Sequence, residues 1–398
     1  MQEIIGSKSD SLKGKLIVLG VCGSIAAVKS FELARELMRH GAKVQPVMSR
    51  AALQILGQKA MEFAAGKKPI TEISGRVEHV KFFGKGGKAG LLLIAPATAN
   101  TIGKIAMGID DTPITTFATT AIGAGKPVLI APAMHEPMYG HPIVKENLAK
   151  LGQMNLVKIV PPLIEEEKAK MNSIEAIVLE VEAALSKKKF EGKKVLIAAG
   201  TTKEFLDPIR AISTNASGKT GEELAKEAFR RGAKVTLLHN KEIFFPQIKT
   251  AKFETFVELQ QQLFEELEKG CDLFFCPAAI GDFESTQNKT KIVSGKKISI
   301  ELSPREKLIS KVRKKFPKLP ICGFKAETGI PKKTLEKKCM EFLKKNALQM
   351  VVGNDVSKHK MGSDENEAVV VSSKKTVWAK GKKEAIAKKI IEQAEKFL

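Results

Sequence analysis

The sequence predicts an α/β protein made of two doubly wound, mainly parallel sheets in tandem, the second extended by a β-hairpin. Three observations predict it. Short aliphatic runs alternate with amphipathic stretches, the βαβ pattern of a parallel sheet covered on both faces. The pattern restarts: Leu33-Ala34-Arg35-Glu36 and Gly41-Ala42-Lys43-Val44 return as Leu224-Ala225-Lys226-Glu227 and Gly232-Ala233-Lys234-Val235, at a constant offset of 191. Finally, 398 residues exceed one ordinary core and suit two domains.

In the first half, the aliphatic runs Lys15–Val21, Lys43–Ser49, Gly90–Ala95 and Pro127–Ala131 read as buried strands. Helical spacing marks Ser30–His40, Thr98–Met107 and the region around Ile143–Leu151. In the second half, strands fall at Lys193–Ala199, Lys234–Leu238, Asp272–Cys276, Pro320–Phe324 and Gln349–Gly353. Helices fall at Gly221–Arg231, Phe256–Lys269, Arg305–Lys315 and Lys332–Asn346. Ala368–Ser372 and Thr376–Lys380 form the added hairpin before a last helix, Lys382–Leu398. Gly41 and Gly232 end their helices before the next strand. The basic stretch Ser186–Gly192 marks the boundary, giving domains 1–186 and 187–398.

Composition narrows the function classes. No apolar run reaches the ~20 residues of a membrane helix, and the N-terminus Met1–Lys8 lacks a basic-then-apolar signal layout, so a cytoplasmic protein without membrane attachment is expected. Five scattered cysteines fit neither a disulfide framework nor a zinc site. The formal charge is +22, carried mostly by lysine, with nine arginines and 6% aromatics. Nucleic-acid readers favour arginine forks and stacking aromatics, so a solvated lysine surface, or a field attracting phosphorylated small molecules, is expected instead.

The two halves differ after their first strands. From Gly14 to Gly41 is 27 positions and from Gly192 to Gly232 is 40, so the second half carries 13 extra residues there. In a doubly wound sheet this is a carboxyl-end loop, where phosphates and nucleotides bind. Its end, Ser217-Gly218-Lys219-Thr220-Gly221, opens a helix with small residues, free amides and a lysine, which is anion-binding chemistry. The first half turns through Gly20-Val21-Cys22-Gly23-Ser24-Ile25-Ala26, fit for a phosphate or simply a tight turn. It is not the Gly-x-Gly-x-x-Gly fingerprint, and no acidic residue ends the second strand; both count against a tandem Rossmann nicotinamide oxidoreductase.

Motifs in both halves carry a resemblance over almost the whole chain. Gly20–Ala27, Ala95-Pro96-Ala97-Thr98-Ala99-Asn100 and Pro132-Ala133-Met134-His135-Glu136-Pro137-Met138-Tyr139 resemble flavin-dependent cysteine decarboxylases. Ala199-Gly200-Thr201-Thr202, Leu206–Arg210, Ser217-Gly218-Lys219, Gly323–Thr328 and Asn354-Asp355-Val356 resemble phosphopantothenate–cysteine ligases. The sequence is thus similar to the bifunctional coenzyme A biosynthesis flavoproteins, in which phosphopantothenoylcysteine decarboxylase is fused to the ligase, with Rossmann-like domains throughout.

For the first half the resemblance implies FMN. The thiol side of the substrate is oxidised to a thioaldehyde, CO₂ departs, and the enethiol is reduced back. It places the FMN phosphate at Gly23, Ser24 and Ile25, with Ser49, Ala97, Thr98 and Lys104 near the cofactor. His79 falls where the family has its catalytic histidine, accepting a proton or holding the substrate carboxylate. Two positions depart from the pattern. His135 replaces the asparagine that contacts substrate. The family's flap cysteine, a proton donor, is absent from Glu165-Glu166-Glu167-Lys168-Ala169-Lys170-Met171, which leaves Lys168, Lys170 or His135 for that task.

For the second half the resemblance implies attack of the 4′-phosphopantothenate carboxylate on the α-phosphate of a nucleoside triphosphate, CTP or ATP, with Mg²⁺. Pyrophosphate leaves, and the amine of cysteine then attacks the acyl-nucleotide. Lys289 and Lys291 resemble the family's Lys-x-Lys segment, and Arg210 the group holding the acyl-phosphate. Gly200, Ser217, Gly218, Lys219, Ala279, Asp282, Phe324, Lys325, Asn354 and Asp355 are expected around the nucleotide. The intermediate-holding asparagine is Thr214 in strict alignment, with Asn215 one place on. The resemblance also implies homo-oligomers, with flavin sites between subunits. One active half beside an inactive one is the remaining alternative.

Overall fold

Along Leu16–Val21, alternate residues divide between two cores: Ile17, Leu19 and Val21 enter one, Val18 and then Cys22 the other. Leu91–Ala97 divides the same way, with Leu91, Leu93 and Ala95 on one side and Leu92, Ile94 and Ala97 on the other. A strand apolar on both faces needs helices on both, and burying each such side chain contributes about 1.5–3 kcal/mol. The computed structural model describes residues 4–398 except 244, 294, 296, 360 and 361; the first three residues of the N-terminal stretch lie outside it. The chain divides into two units, Met1–Ser186 and Lys187–Leu398.

The sheet of the first unit has five parallel strands in the order Lys43–Met48, Leu16–Val21, Leu91–Ala97, Val128–Pro132 and Val157–Ile159. The chain winds outward from Leu16–Val21 to one side and then to the other, so a topological switch lies beside that strand's carboxyl end. The main sheet of the second unit has eight strands: Lys249–Lys252, Lys234–His239, Lys194–Ala199, Leu273–Cys276, Ile321–Glu327, Met350–Asp355, Glu365–Ser372 and Thr376–Lys382. The first six run parallel and the last two form the antiparallel hairpin. Here too the switch falls beside the first strand, Lys194–Ala199.

Some boundaries differ from the sequence reading for identifiable reasons. The helix expected at Gly221 begins at Lys219, because Gly218 caps it with a left-handed φ of 81°. The helix expected from Arg305 begins at Leu308, because Ser303–Pro304 pairs with Phe283–Glu284 and the Arg305 N–H is held by the Asp282 carbonyl. The last helix stays α-helical only to Ala394, with a tighter turn over Glu395–Phe397. Helices at Gln58–Ala65, Glu78–Phe83, Pro113–Gly123 and Ile174–Leu185, and the edge strands Val157–Ile159 and Lys249–Lys252, are additions to the reading. Gly41 and Gly232 follow their helices at φ 95° and 94°, as expected of C-terminal glycines.

Candidate active sites

In the first unit, three strand ends converge at the switch. The Cys22 N–H donates to the Pro96 carbonyl at 3.2 Å, and the Ser49 N–H to the Val21 carbonyl at 3.1 Å. A Cβ on Gly23 would meet the Cβ of Ala51 at 2.4 Å, so only glycine lets the first turn lie against the second. Each turn ends in a hydroxyl at a helix start: Ser24 accepts from the Ala26 N–H, Ser49 from Ala52 and Thr98 from Thr101. Ile25 projects into solvent at 78% exposure, whereas Ala97 is buried. Six of the seven expected cofactor residues therefore lie on three adjoining strand-end turns, with Ile25 exposed and Ala97 buried. Lys104, on the helix Ala99–Met107, instead has its ammonium on the Asp111 carboxylate at 2.7 Å.

His79 lies on the helix Glu78–Phe83, whose start is fixed by Glu78 accepting from the Ser74 hydroxyl and N–H; these bonds hold its carboxyl at about 2. The Nδ1 of His79 is buried without a hydrogen-bond partner among the described residues. His135 forms a short strand with Met134 that pairs antiparallel with Lys168–Lys170, the second strand of a hairpin whose first is Leu163–Glu165. In that register His135 stands opposite Lys168. The hairpin turns through Glu166 and Glu167 at φ 51° and 55°. The Lys170 ammonium is held by Glu166 at 2.7 Å and Glu165 at 3.4 Å, while Lys168 is exposed and has no ion pair among the described residues.

In the second unit a cavity of about 350 Å³ opens at the carboxyl ends of the strands. Eight of the ten expected nucleotide residues line it: Ser217, Gly218, Lys219, Ala279, Asp282, Phe324, Lys325 and Asn354. Gly200 does not; its φ is 91° and a Cβ would strike the Asn240 Oδ1 at 1.9 Å, so it shapes the turn beside the cavity. Asp355 also faces elsewhere: its carboxylate accepts from the N–H groups of Gly329 and Ser357 and from the Ser357 hydroxyl, which together keep its pKa low. The Lys219 ammonium rests on Asp364 at 2.7 Å. A Cβ on Gly218 would come within 2.0 Å of the His239 Nε2 packed beside it.

The expected catalytic residues of this unit stand outside the cavity wall. Arg210 donates to Asp207 and to the Ile292 carbonyl, both at 2.8 Å, and so ties down the chain that carries the exposed Lys289 and Lys291. Thr214 is committed to the scaffold through the Thr201 hydroxyl at 2.7 Å and the Ala279 carbonyl at 3.3 Å. Asn215 is exposed, with no side-chain bond among the described residues. Sequence reasoning missed Arg305, Lys307, His359 and Lys383, all on the cavity. Their only sequence signal is a basic residue beside an element boundary, which is common in a lysine-rich chain. Cys276 also lines the cavity, but burial pushes its thiol up to about 12, which leaves no nucleophilic thiolate.

Residues 5–186 match the family model described as Flavoprotein, and residues 190–398 that of the DNA/pantothenate metabolism flavoprotein C-terminal domain. A coenzyme A biosynthesis bifunctional protein CoaBC from Thermococcus kodakarensis is 46% identical, over 92% of this chain and 91% of that protein. The chain belongs to the family of bifunctional coenzyme A biosynthesis proteins. A second member, CoaBC from Methanocaldococcus jannaschii, is 35% identical over 99% of this chain and 96% of its own. Among solved structures, a C-terminal domain of CoaBC is 22% identical and covers 53% of this chain and 97% of its own, with a TM-score of 0.45. Membership makes this chain a bifunctional enzyme of coenzyme A biosynthesis, with a flavoprotein half and a ligase half. None of its described helices is long and apolar enough to cross a membrane.

Proposed function

We propose that the second half joins cysteine to 4′-phosphopantothenate through an acyl-nucleotide formed from CTP or ATP, and that the first half decarboxylates the product to 4′-phosphopantetheine with FMN. The observation that carries this reading is the 350 Å³ cavity at the sheet switch, with the Ser217–Gly221 helix start on one side and Ala279, Asp282, Phe324 and Asn354 on the others. Free amides and lysine at a helix start suit a polyphosphate, and strand-end groups suit a base and ribose. Asn215 is the residue free to hold the acyl-nucleotide carbonyl, since Thr214 is spent on Thr201 and Ala279. Lys289 and Lys291 neutralise charge at the α-phosphate from the loop that Arg210 anchors. Lys219, Arg305, Lys307, Lys325 and Lys383 on the cavity offer positive charge to the triphosphate, and Mg²⁺ would arrive with it.

The strand-end turns of the first half suit a flavin phosphate, because Gly23 packs the first turn against the second and Ser24, Ser49 and Thr98 bring hydroxyls to three adjoining helix starts. When bound, FMN supplies the two-electron acceptor that makes decarboxylation possible. His79 takes the thiol proton or holds the carboxylate through its unpartnered Nδ1. Lys168 gives the last proton from its place opposite His135, because Lys170 is engaged by two glutamates. The protein works as a homo-oligomer in the cytoplasm. Incubation with 4′-phosphopantothenate, cysteine, Mg²⁺ and either CTP or ATP should yield 4′-phosphopantetheine from yellow protein. Yellow protein that stops at phosphopantothenoylcysteine leaves only the ligase reading standing, and no consumption of either triphosphate defeats it.

A further inference from the structure

Lys383 begins the helix Lys383–Ala394, 164 residues after Lys219 begins its own, yet both line the same cavity. The segment that joins them is Asp364. Its carboxylate takes the Lys219 ammonium at 2.7 Å, and its carbonyl accepts the Lys383 N–H at 2.9 Å. The Lys383 ammonium itself has no hydrogen bond or ion pair among the described residues, although the side chain is half-buried. Partial burial and then the nearby Lys219 charge lower its pKa, and Asp364, Glu222 and Glu223 oppose that only in part. An unpaired ammonium withdrawn from water beside a second one is an arrangement that a polyanion relieves.

We propose that Lys383 and Lys219 together grip the terminal phosphates of the nucleoside triphosphate, so that the departing pyrophosphate is held between two helix starts, while Asp364 occupies Lys219 until the nucleotide comes. This rests on the nucleotide reading above and extends it from the helix start at Gly218 to a second cation that the final helix delivers. The nucleoside end of the ligand lies against Phe324 and Asn354, at the strand ends, and does not depend on Lys383.

Calorimetric titration of the full-length protein with CTP, ATP, CMP, AMP and pyrophosphate tests the proposal. Lys383→Met should weaken the triphosphate and pyrophosphate ten-fold or more and leave the monophosphate within two-fold, while Lys383→Arg keeps most of the affinity. Asp364→Asn should tighten pyrophosphate several-fold by releasing Lys219. Equal weakening of mono- and triphosphate, or none, overturns the proposal, and so does weaker pyrophosphate binding to Asp364→Asn. A parent protein that binds neither triphosphate defeats the nucleotide reading itself; one that binds CTP or ATP alongside an unaffected Lys383→Met defeats this inference alone. Far-UV circular dichroism checks that each variant is folded, and Asp364→Asn supplies an answer should Lys383→Met not be.

Discussion

The buried carboxylate of Asp207 accepts the backbone N–H of Ile292 at 3.0 Å, across 85 positions of sequence. The same oxygen accepts from Nη1 of Arg210, and that nitrogen also donates to the Ile292 carbonyl. This clamp fixes the loop of Lys289 and Lys291 against the 13-residue insert of the second half. Asp207→Asn should lower ligase turnover about 10²-fold, the scale of a catalytic group misplaced by an ångström, while leaving decarboxylation of supplied phosphopantothenoylcysteine unchanged. Separate assays of the two reactions measure it.

The same carboxylate predicts an acid dependence. The Ile292 N–H, followed by those of Ile209 and Arg210, holds its pKa at about 2 against an ordinary 3.8. The folded state binds that proton less readily than the unfolded chain, so the contribution is complete above about pH 4 and is lost as pH falls through about 2. The fluorescence of Trp378, the chain's only tryptophan, reports the second unit. Between about pH 4 and 2 its melting temperature should fall less steeply in Asp207→Asn than in the parent protein. Equal slopes would show that other groups govern acid unfolding.

Gly218→Ala places a methyl on the His239 ring and in a left-handed conformation that costs about 1–2 kcal/mol. Triphosphate binding should drop at least ten-fold. Adding His239→Ala removes the clash but not the backbone cost, so the double variant should recover part of the binding. Full recovery would assign the whole effect to the ring.

Exchanging the flap lysines separates their roles. Lys168→Met should slow 4′-phosphopantetheine formation by roughly 10²-fold, within the usual range of a general acid, while CO₂ release continues. Lys170→Met, which removes an exposed ion pair, should change either rate only a few-fold. Single-turnover detection of CO₂ and of thiol product distinguishes the two steps.

Asn215→Ala should abolish most acyl-nucleotide accumulation. Thr214→Val should retain it and lower stability by about 1 kcal/mol through loss of the Thr201 bond. A reversed pattern would return the role to Thr214.

The parts most legible in the sequence were those written in local periodicity. Two-sided strands such as Leu91–Ala97 announce a covered sheet, and Gly41 and Gly232 mark the ends of matching helices in both halves. Edge strands were not legible, because Lys249-Thr250-Ala251-Lys252 pairs on one side only and carries no aliphatic run. The helix Ile174–Leu185 was missed because eight of its twelve residues are buried, which blurs the one-sided spacing that reveals a surface helix. In the site, residues beside a glycine turn were readable, whereas Arg305, Lys307 and Lys383 reach the cavity from distant elements that only the folded topology brings together. Asp355 misled because a strand-end aspartate is as suited to capping a turn as to meeting a ligand.

The turn Glu166-Glu167 has a dynamic consequence. Two successive non-glycine residues at positive φ occupy the place that Asn-Gly fills most comfortably, at about 1–2 kcal/mol each. The hairpin therefore closes against a standing local penalty and should exchange its amide protons far faster than the sheet behind it.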